Sequence, residues 1–578
     1  MVSVAVRMRH AITLAPGSHG SAGYRTPDRR VWKYPSMSSV SPPSGVTDVA
    51  DLVTAAAEES PDRLALVEAG GRSLTWAQLD QEVSRIATGL GAAGVVAGLR
   101  VMSALGNRIE FVTTYLGTLR AQAVAVPVNP SSTPGELARM IVDSGSRMVV
   151  ADGTTVSAVR EAVALLGRAL DGDIEGLGEV DPDVMARVTL PRIVVVGATL
   201  LPGERSYDHL RADTPRPSPA LQDPEKLAAL LYTSGTSGRP RAAMLTHRAL
   251  LANIEQVAAV EPPMMHGDDV VLGVLPLFHV YGLNAVLGGV LRHRAKLVLT
   301  ERFDPQGTLD LIEDEACSVV PVAPPVFAYW RDVEALEERL GPVRLILSGS
   351  APLSTEVIEE FTERTGVPIH QGYGLTEASP VVTSTLCSES LQNGSVGAAL
   401  EGIEIRLVDE AGHLPLGDDP GEIQIKGANL FSGYWPDGSD GPDDEGWWST
   451  GDVGFLDRTG DLFLVDRLKE LVIVSGFNVY PVEVEDVIRE TPGVSEVAVI
   501  GVDDPVSGEA VVAYVVAPGG DAAQVEAAVR ERCEMRLARF KRPSRIEVVD
   551  ELPLTVTGKV QKGRLRGLER RRTLGILE

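Results

Sequence analysis

Cysteine is almost missing from this chain: Cys317, Cys387 and Cys533 are the only three in 578 residues, and no two stand at the spacing of a metal or redox pair. That scarcity excludes a disulfide scaffold and fits a reducing compartment, so a cytoplasmic location is expected. No apolar run approaches the ~18 residues that a membrane span needs, and no integral membrane segment is expected. The nine histidines form no His-Glu-x-x-His pair, no Gly-x-Ser-x-Gly elbow occurs, and no Gly-Lys-Ser/Thr closes a Walker loop. These absences remove the usual zinc-peptidase, α/β-hydrolase and P-loop signatures. Positive charge is in deficit too, with 53 Lys and Arg against 79 Asp and Glu for a net −26. Such a surface repels a phosphate backbone overall, so nucleic acid is not expected as a partner. A small phosphorylated ligand responds to local fields and is not excluded.

What is present reads as a globular enzyme. Hydrophobic residues make up 44% and charged residues 23% of the chain, ordinary values for such a protein. The length is too great for one core and corresponds to roughly three or four domain-sized units. Residues 1–45 differ from the rest, with six basic residues, Arg7, Arg9, Arg25, Arg29, Arg30 and Lys33, against one acid, Asp28, amid Ser, Pro and Gly. They read as a disordered or over-called extension, with Met37 an alternative start.

From about residue 48, β-branched runs alternate with amphipathic stretches. Met148–Ala151, Arg192–Val196, Val270–Leu275 and Val343–Leu347 are expected as buried strands. Leu79–Leu90, Pro134–Asp143 and Thr355–Thr365 are expected as helices. This order implies an α/β architecture with largely parallel sheets. Near residue 395 short strands appear at Val396–Gly397, Glu404–Val408 and Glu422–Lys426, indicating a more antiparallel, barrel-like unit. The acidic loop Asp437–Glu445 reads as a solvated excursion. After Arg467 come a helix at Val482–Glu490, strands at Val497–Val502 and Val511–Val516, a helix at Ala522–Leu537 and a strand at Arg545–Val549. They describe a small α+β domain. The basic stretch Lys562–Arg572 is expected to be exposed. The expected boundaries are 46–466 for a large N-terminal domain and 467–578 for the small one.

The most telling segment is Leu231-Tyr-Thr-Ser-Gly-Thr-Ser-Gly-Arg-Pro-Arg241. Thr233, Ser234, Gly235, Thr236, Ser237 and Gly238 offer hydroxyl donors and a backbone able to approach an anion closely, and Arg239 and Arg241 add charge. A flexible surface turn would have the same composition. The apolar approach Leu227–Leu231 and a helix-like Met244–Glu255 favour a strand, loop and helix around a phosphate instead.

Four distant segments carry matching chemistry. His370-Gln-Gly-Tyr-Gly-Leu-Thr-Glu377 follows an expected strand, Val367–Gln371, and presents an aromatic face for a purine and a carboxylate for Mg²⁺. Gly446-Trp-Trp-Ser-Thr-Gly-Asp452 ends in an acid suited to a ribose diol. Asp466-Arg-Leu-Lys469 adds two cations at the domain junction, and Pro553-Leu-Thr-Val-Thr-Gly-Lys559 places one lysine on a turn. Singly, each has a plainer reading as a surface acid, a packing tryptophan or an exposed lysine. The ordered set is what carries weight.

With these segments in place, residues 48–570 resemble the adenylate-forming superfamily of acyl-CoA synthetases, firefly luciferase and peptide-synthetase adenylation domains. Pro276-Leu-Phe-His279 with Gly282, and Ser348-Gly-Ser-Ala-Pro352, match further motifs of that family. The resemblance implies a large N-terminal domain of αβαβα layered sheets with a barrel-like β subdomain and a small, mobile α+β C-terminal domain. It also implies roles. Thr233–Gly238 would cradle the phosphates and Glu377 would hold Mg²⁺. Gly349, Ser350, Ala351, Pro352, Gln371, Gly372, Tyr373 and Gly374 would border the nucleotide. Thr376 would contact the α-phosphate, and Asp452 and Arg467 the ribose. His279 would line the acyl side, and Lys559 would reach carboxylate and phosphate. Lys469 would be the hinge, and Ser475, Gly476 and Phe477 would border the CoA channel.

ATP, CoA and a carboxylic acid are the implied partners, with a homodimer left open. The implied reaction is AMP-forming acyl-CoA ligation of a medium- or long-chain fatty acid. A carrier-loading acyl-AMP ligase and a CoA ligase for a short or aromatic acid stand as alternatives. The phosphate motif ends Pro240-Arg241-Ala242 where the family usually has Pro-Lys-Gly. Ile473 and Ser475 replace lysines of luciferase and plant coumarate ligases, which points away from those branches.

Overall fold

A computed structural model describes residues 46–578 apart from 174–184, 186–187, 234–240, 352, 354, 393, 410–411, 414, 416–419, 468–469, 475–476, 505–507, 538, 556–557 and 574–578. The expectation for residues 1–45 lies outside the described residues.

Two seven-stranded sheets form the large domain. The first runs Arg205–Ser206, Arg192–Val196, Met148–Asp152, Arg100–Ala104, Val124–Pro127, Leu227–Thr233 and Arg241–Thr246, parallel except for its last pair. The second runs Ile369–Gln371, Leu345–Ser348, Val319–Val322, Val270–Gly273, Lys296–Leu299, Leu64–Glu68 and Ser73–Thr75, again with one antiparallel edge. Strand side chains alternate between faces, and here the two faces enter different cores. Met148 and Val150 join a central core that also holds Val271, Leu297 and Val319 of the second sheet. Val149 and Ala151 pack outward on the helices Pro134–Ser144 and Val156–Leu170. Leu272, Val298, Val320 and Ile346 pack outward on Pro305–Glu315, Pro325–Trp330 and Thr355–Thr365. Between the sheets lie Trp76–Ala92, Ile109–Arg120 and His247–Ala258, which complete the αβαβα layering.

Most expected elements are present within a few residues, and Arg192–Val196, Thr355–Thr365 and Arg545–Val549 coincide with their expected bounds. Two differences matter. The helix expected from Met244 begins at His247, because Met244, Leu245 and Thr246 pair with Leu230, Ala229 and Leu227. Thr246 then caps the helix by accepting the Ala249 N–H at 3.1 Å. The glycine loop therefore joins two antiparallel strands, and no helix N-terminus follows it directly. The second difference is at the C-terminus. Lys562–Thr573 is a helix rather than an exposed tail, with Leu565 buried at 3% exposure against Leu552, Ile500 and Tyr514.

After residue 395 a four-stranded antiparallel meander follows, Ile403–Val408, Gly421–Gly427, Trp448–Leu456 and Leu462–Arg467. The short strand expected at Val396–Gly397 lies instead at Ala398–Ala399, paired with Thr383–Ser384. The small C-terminal sheet centres on Gly508–Val516, flanked by antiparallel Glu496–Asp504 and parallel Arg545–Val549. Helices Pro481–Arg489 and Ala522–Arg536 cover one face. Among the described residues, no helix is long and apolar enough to cross a membrane.

Candidate active site

Parallel sheets bind ligands beyond the carboxyl ends of their strands, and the principal cavity opens there. Pro127, Thr233, Pro321, Ser348 and Gln371, at or near strand ends of both sheets, line a cavity of about 3010 Å³. Its walls also include His279, Gly349, Ser350, Ala351, Gly372, Tyr373, Gly374, Thr376, Glu377, Asp452 and Lys559. Residues spread over more than three hundred positions of sequence thus share one space.

Both glycines of the His370–Glu377 motif are explained by backbone crowding. A Cβ on Gly372 would lie 2.6 Å from the Thr383 carbonyl oxygen, and one on Gly374 2.4 Å from that of Pro380. Ser350 takes a left-handed φ of +75° on the cavity wall, a conformation a non-glycine residue holds only when its surroundings impose it. Two buried polar atoms of the wall, Ser348 Oγ and Asn284 Oδ1, have no hydrogen-bond partner among the described residues.

Both expected acids are buried and both are held by tyrosines. Asp452, 7% exposed, accepts a 2.6 Å hydrogen bond from the Tyr373 hydroxyl. Across the meander its backbone stands opposite Arg467, of which only the backbone is described. Glu377, 8% exposed, accepts through Oε1 from the Tyr434 hydroxyl at 2.6 Å. The same turn is clamped through its backbone, because the Phe431 N–H donates to the Glu377 carbonyl and Asn429 Nδ2 to that of Ala378. Burial and the Glu377 charge push the Tyr434 hydroxyl well above its usual range, which keeps it a donor.

Sequence reasoning passed over Tyr434 and gave Arg241 to the phosphate loop, whereas Arg241 lies against Tyr434. The guanidinium lies 3.8 Å from the Tyr434 ring centroid and pairs with Asp440 at 2.7 Å. Its Nη2 donates to Ser439 Oγ at 3.3 Å, so Arg241 is committed to a stacked, ion-paired role suited to its planar guanidinium rather than waiting for a phosphate. Asp440 anchors the acidic loop further, since its carbonyl accepts from Trp448 Nε1 at 2.8 Å. Through Asp440 the loop Asp437–Glu445 is thus tethered to the cavity rim.

Lys559 arrives on a tight turn. The Thr555 N–H donates to the Lys559 carbonyl at 2.7 Å, and a bridge joins Leu554 to Val560. Gly558 holds φ +80°, and a Cβ there would meet Pro325 Cγ at 2.3 Å. The tip of the small domain thus docks on the first turn of helix Pro325–Trp330. Lys559 then lies close enough to affect His279. Deep placement, with the Lys559 charge second, pushes the His279 imidazole down to about 4, although part of the ring stays open to the cavity. Its Nδ1 accepts from the Tyr281 N–H at 3.3 Å, so the neutral ring turns Nε2–H elsewhere.

An apolar arm of the same cavity is lined by Val319, Pro321 and Leu347 of the second sheet, by Tyr281, Ala285 and Gly289 of the helical stretch 281–293, and by Met264, Met265 and His293. Nothing in the sequence reading pointed to those last residues, which come from a loop and a helix end far from any motif.

Ser234, Gly235, Thr236, Ser237, Gly238, Pro352, Lys469, Ser475 and Gly476 lie outside the described residues, as does the side chain of Phe477. Their flanks are described. Thr233 and Arg241 face the same cavity as Lys559.

A large cleft between a layered α/β domain and a small α+β domain, with two buried acids and a lysine on a docking turn, is the arrangement of adenylate-forming enzymes. Residues 53–435 match the family model described as AMP-binding enzyme, and 483–559 match the AMP-binding enzyme C-terminal domain. The chain belongs to this family. It is 33% identical to 4-coumarate–CoA ligase-like 9 of Oryza sativa subsp. japonica, covering 91% of this chain and 93% of the relative. It is 31% identical to a long-chain-fatty-acid–CoA ligase of Bacillus subtilis (strain 168), covering 89% and 93%. The crystal structure of ATP-bound MatB from Rhodopseudomonas palustris superposes with a TM-score of 0.78 at 32% identity, covering 90% and 99%. The protein is accordingly an ATP-dependent, AMP-forming acid–CoA ligase. Relatives named as coumarate ligases and as long-chain-fatty-acid ligases both match at 31–33% identity, so overall similarity does not separate the two branches.

Proposed function

We propose that the acid is a medium- or long-chain fatty acid. The supporting observation is the apolar arm of the cavity, whose lining includes Val319, Leu347, Ala285, Gly289, Met264 and Met265. A compact aromatic acid would leave its far end unfilled, and empty apolar surface forfeits contact energy.

In this reading the carboxylate enters between His279 and Lys559 and attacks the α-phosphorus of ATP, breaking its bond to the β-phosphate so that pyrophosphate leaves and an acyl-adenylate remains. Lys559 donates to the carboxylate and to the phosphoryl oxygens on which charge builds. Thr376 and the Thr233–Gly238 loop supply further donors. Gly349–Pro352 and Gln371–Gly374 border the adenine, and Asp452 with Arg467 holds the ribose. Neutral His279 can donate Nε2–H without adding a second positive charge beside Lys559. Glu377 fits a magnesium ligand: its carboxylate faces the cavity, Tyr434 occupies one oxygen, and no other described side chain hydrogen-bonds the second. Mg²⁺ is commonly held by one or two carboxylates together with phosphates and water, and when bound it would neutralise phosphate charge. Rotation of the small domain about Lys469 would then withdraw Lys559 and bring Ser475–Phe477 to the CoA thiol, which displaces AMP.

A pyrophosphate-release screen over straight-chain and aromatic acids, with and without CoA, tests the reading. Turnover confined to aromatic or short branched acids would refute it. Acid-dependent pyrophosphate release with no thioester from free CoA would select the carrier-loading alternative.

A further inference from the structure

We infer that the facing pair Gly289 and Met265 sets the longest acyl chain this protein accepts, an inference that rests on the fatty-acid reading above. The arm of the cavity follows the helical stretch formed by Tyr281–Gly288 and Gly289–His293. Tyr281, Ala285, Gly289 and His293 all line it, and these positions recur every four residues on one face. Tyr281–Gly288 is a π-helix and only Gly289–His293 is α-helical, so the rise from Tyr281 to His293 falls somewhat short of the ~18 Å that 1.5 Å per residue would give. An extended chain of on the order of a dozen carbons spans that, allowing for the zigzag of ~1.5 Å bonds.

The far end is where a side chain is missing. Gly289 is buried and lines the cavity, and a Cβ there would already stand 3.2 Å from Met265 Cε and 3.6 Å from its Sδ. Met265 therefore packs directly on the bare Gly289 backbone and closes the arm there, its flexible thioether forming the stop. Met264 and Met265 are 7% and 6% exposed, so the end is closed from solvent. His293 beyond it is uncharged at neutral pH, because burial and then the Arg292 charge push it down to about 4. The flanking cations are turned away into ion pairs, Arg292 with Glu255 and Arg294 with Glu59. An apolar chain end can therefore rest there without facing a charge.

The experiment measures acid-dependent pyrophosphate release by the full-length protein for even-numbered saturated acids from butyrate to stearate, in wild type, Gly289→Leu and Met265→Ala. The wild-type optimum is expected at roughly 10–14 carbons from the helix rise. In Gly289→Leu the ratio of tetradecanoate to octanoate turnover should fall ~10–200-fold, the range for a misfit of a methylene or more in an apolar pocket. In Met265→Ala the profile should move towards longer acids, and this variant carries the test if Gly289→Leu does not fold. If wild type uses long acids but both length profiles stay where they are, the inference is wrong and the fatty-acid reading survives. If wild type ignores straight-chain acids of every length, that reading fails first.

Discussion

Substituting Gly558 by alanine probes how the lysine of the small domain reaches the reaction centre. Two costs arise, and they differ in when they apply. A left-handed alanine costs about 1–2 kcal/mol wherever the turn sits. The steric cost exists only in the docked state, where the new Cβ would lie 2.3 Å from Pro325 Cγ and 3.0 Å from Cδ. The proline ring cannot swing aside, because it forms the first turn of its helix. Restoring an ordinary carbon contact of ~3.5–4.0 Å means a retreat of more than ~1 Å by the turn that carries Lys559. A displacement of that size can lower a rate ~100-fold. We therefore expect pyrophosphate release by Gly558→Ala to fall ~10–100-fold, while thioester formation from supplied acyl-adenylate barely changes. Pro325→Ala removes both ring contacts, so Gly558→Ala with Pro325→Ala should recover a large part of the loss, leaving the backbone cost. Full adenylation by the single variant, or no recovery in the double one, would show that the docked turn is not the adenylating arrangement.

Lys559→Ala should lower adenylation by at least ~100-fold, the scale of one lost electrostatic contact to a transition state; an equal fall in thioester formation from acyl-adenylate would contradict its assigned role. Arg241→Lys keeps the charge but loses the flat stack on Tyr434, so half-saturation by Mg²⁺ and ATP should rise; unchanged values would mean that the stack does not steady Glu377. The pH dependence of stability carries a definite sign. His279 lies at about 4 when folded against an ordinary 6.5, so between those values the unfolded chain binds more protons. Stability should therefore decline as pH falls from 6.5 towards 4, by up to ~3 kcal/mol for this residue. Urea titrations at pH 7 and pH 5 measure the loss, and His279→Gln should lessen it; an identical slope in the variant would remove His279 as a source.

Strand and helix identities were readable because each depends on local periodicity. Met148–Asp152 alternates between two cores, and Thr355–Thr365 shows one apolar stripe. The misplaced helix start at Met244 has a non-local cause: the partner strand Leu227–Thr233 claims Met244–Thr246, and only then does Thr246 act as a cap. The basic C-terminal helix misled for a similar reason. Its composition is that of a solvated tail, yet Glu569, 8% exposed, accepts from the Tyr514 hydroxyl and ion-pairs with Arg545.

By itself the sequence determined the class of chemistry, because glycine, hydroxyl, acid and lysine must occur in a workable order and their types are written in the chain. It determined the layered α/β plan for the same local reason. Only the tertiary structure decided that Arg241 stacks on Tyr434, that Tyr373 and Tyr434 hold the two acids, and that Gly289 faces Met265. Those pairings depend on how two sheets and a small domain pack together, and packing is a property of distances that no local pattern encodes.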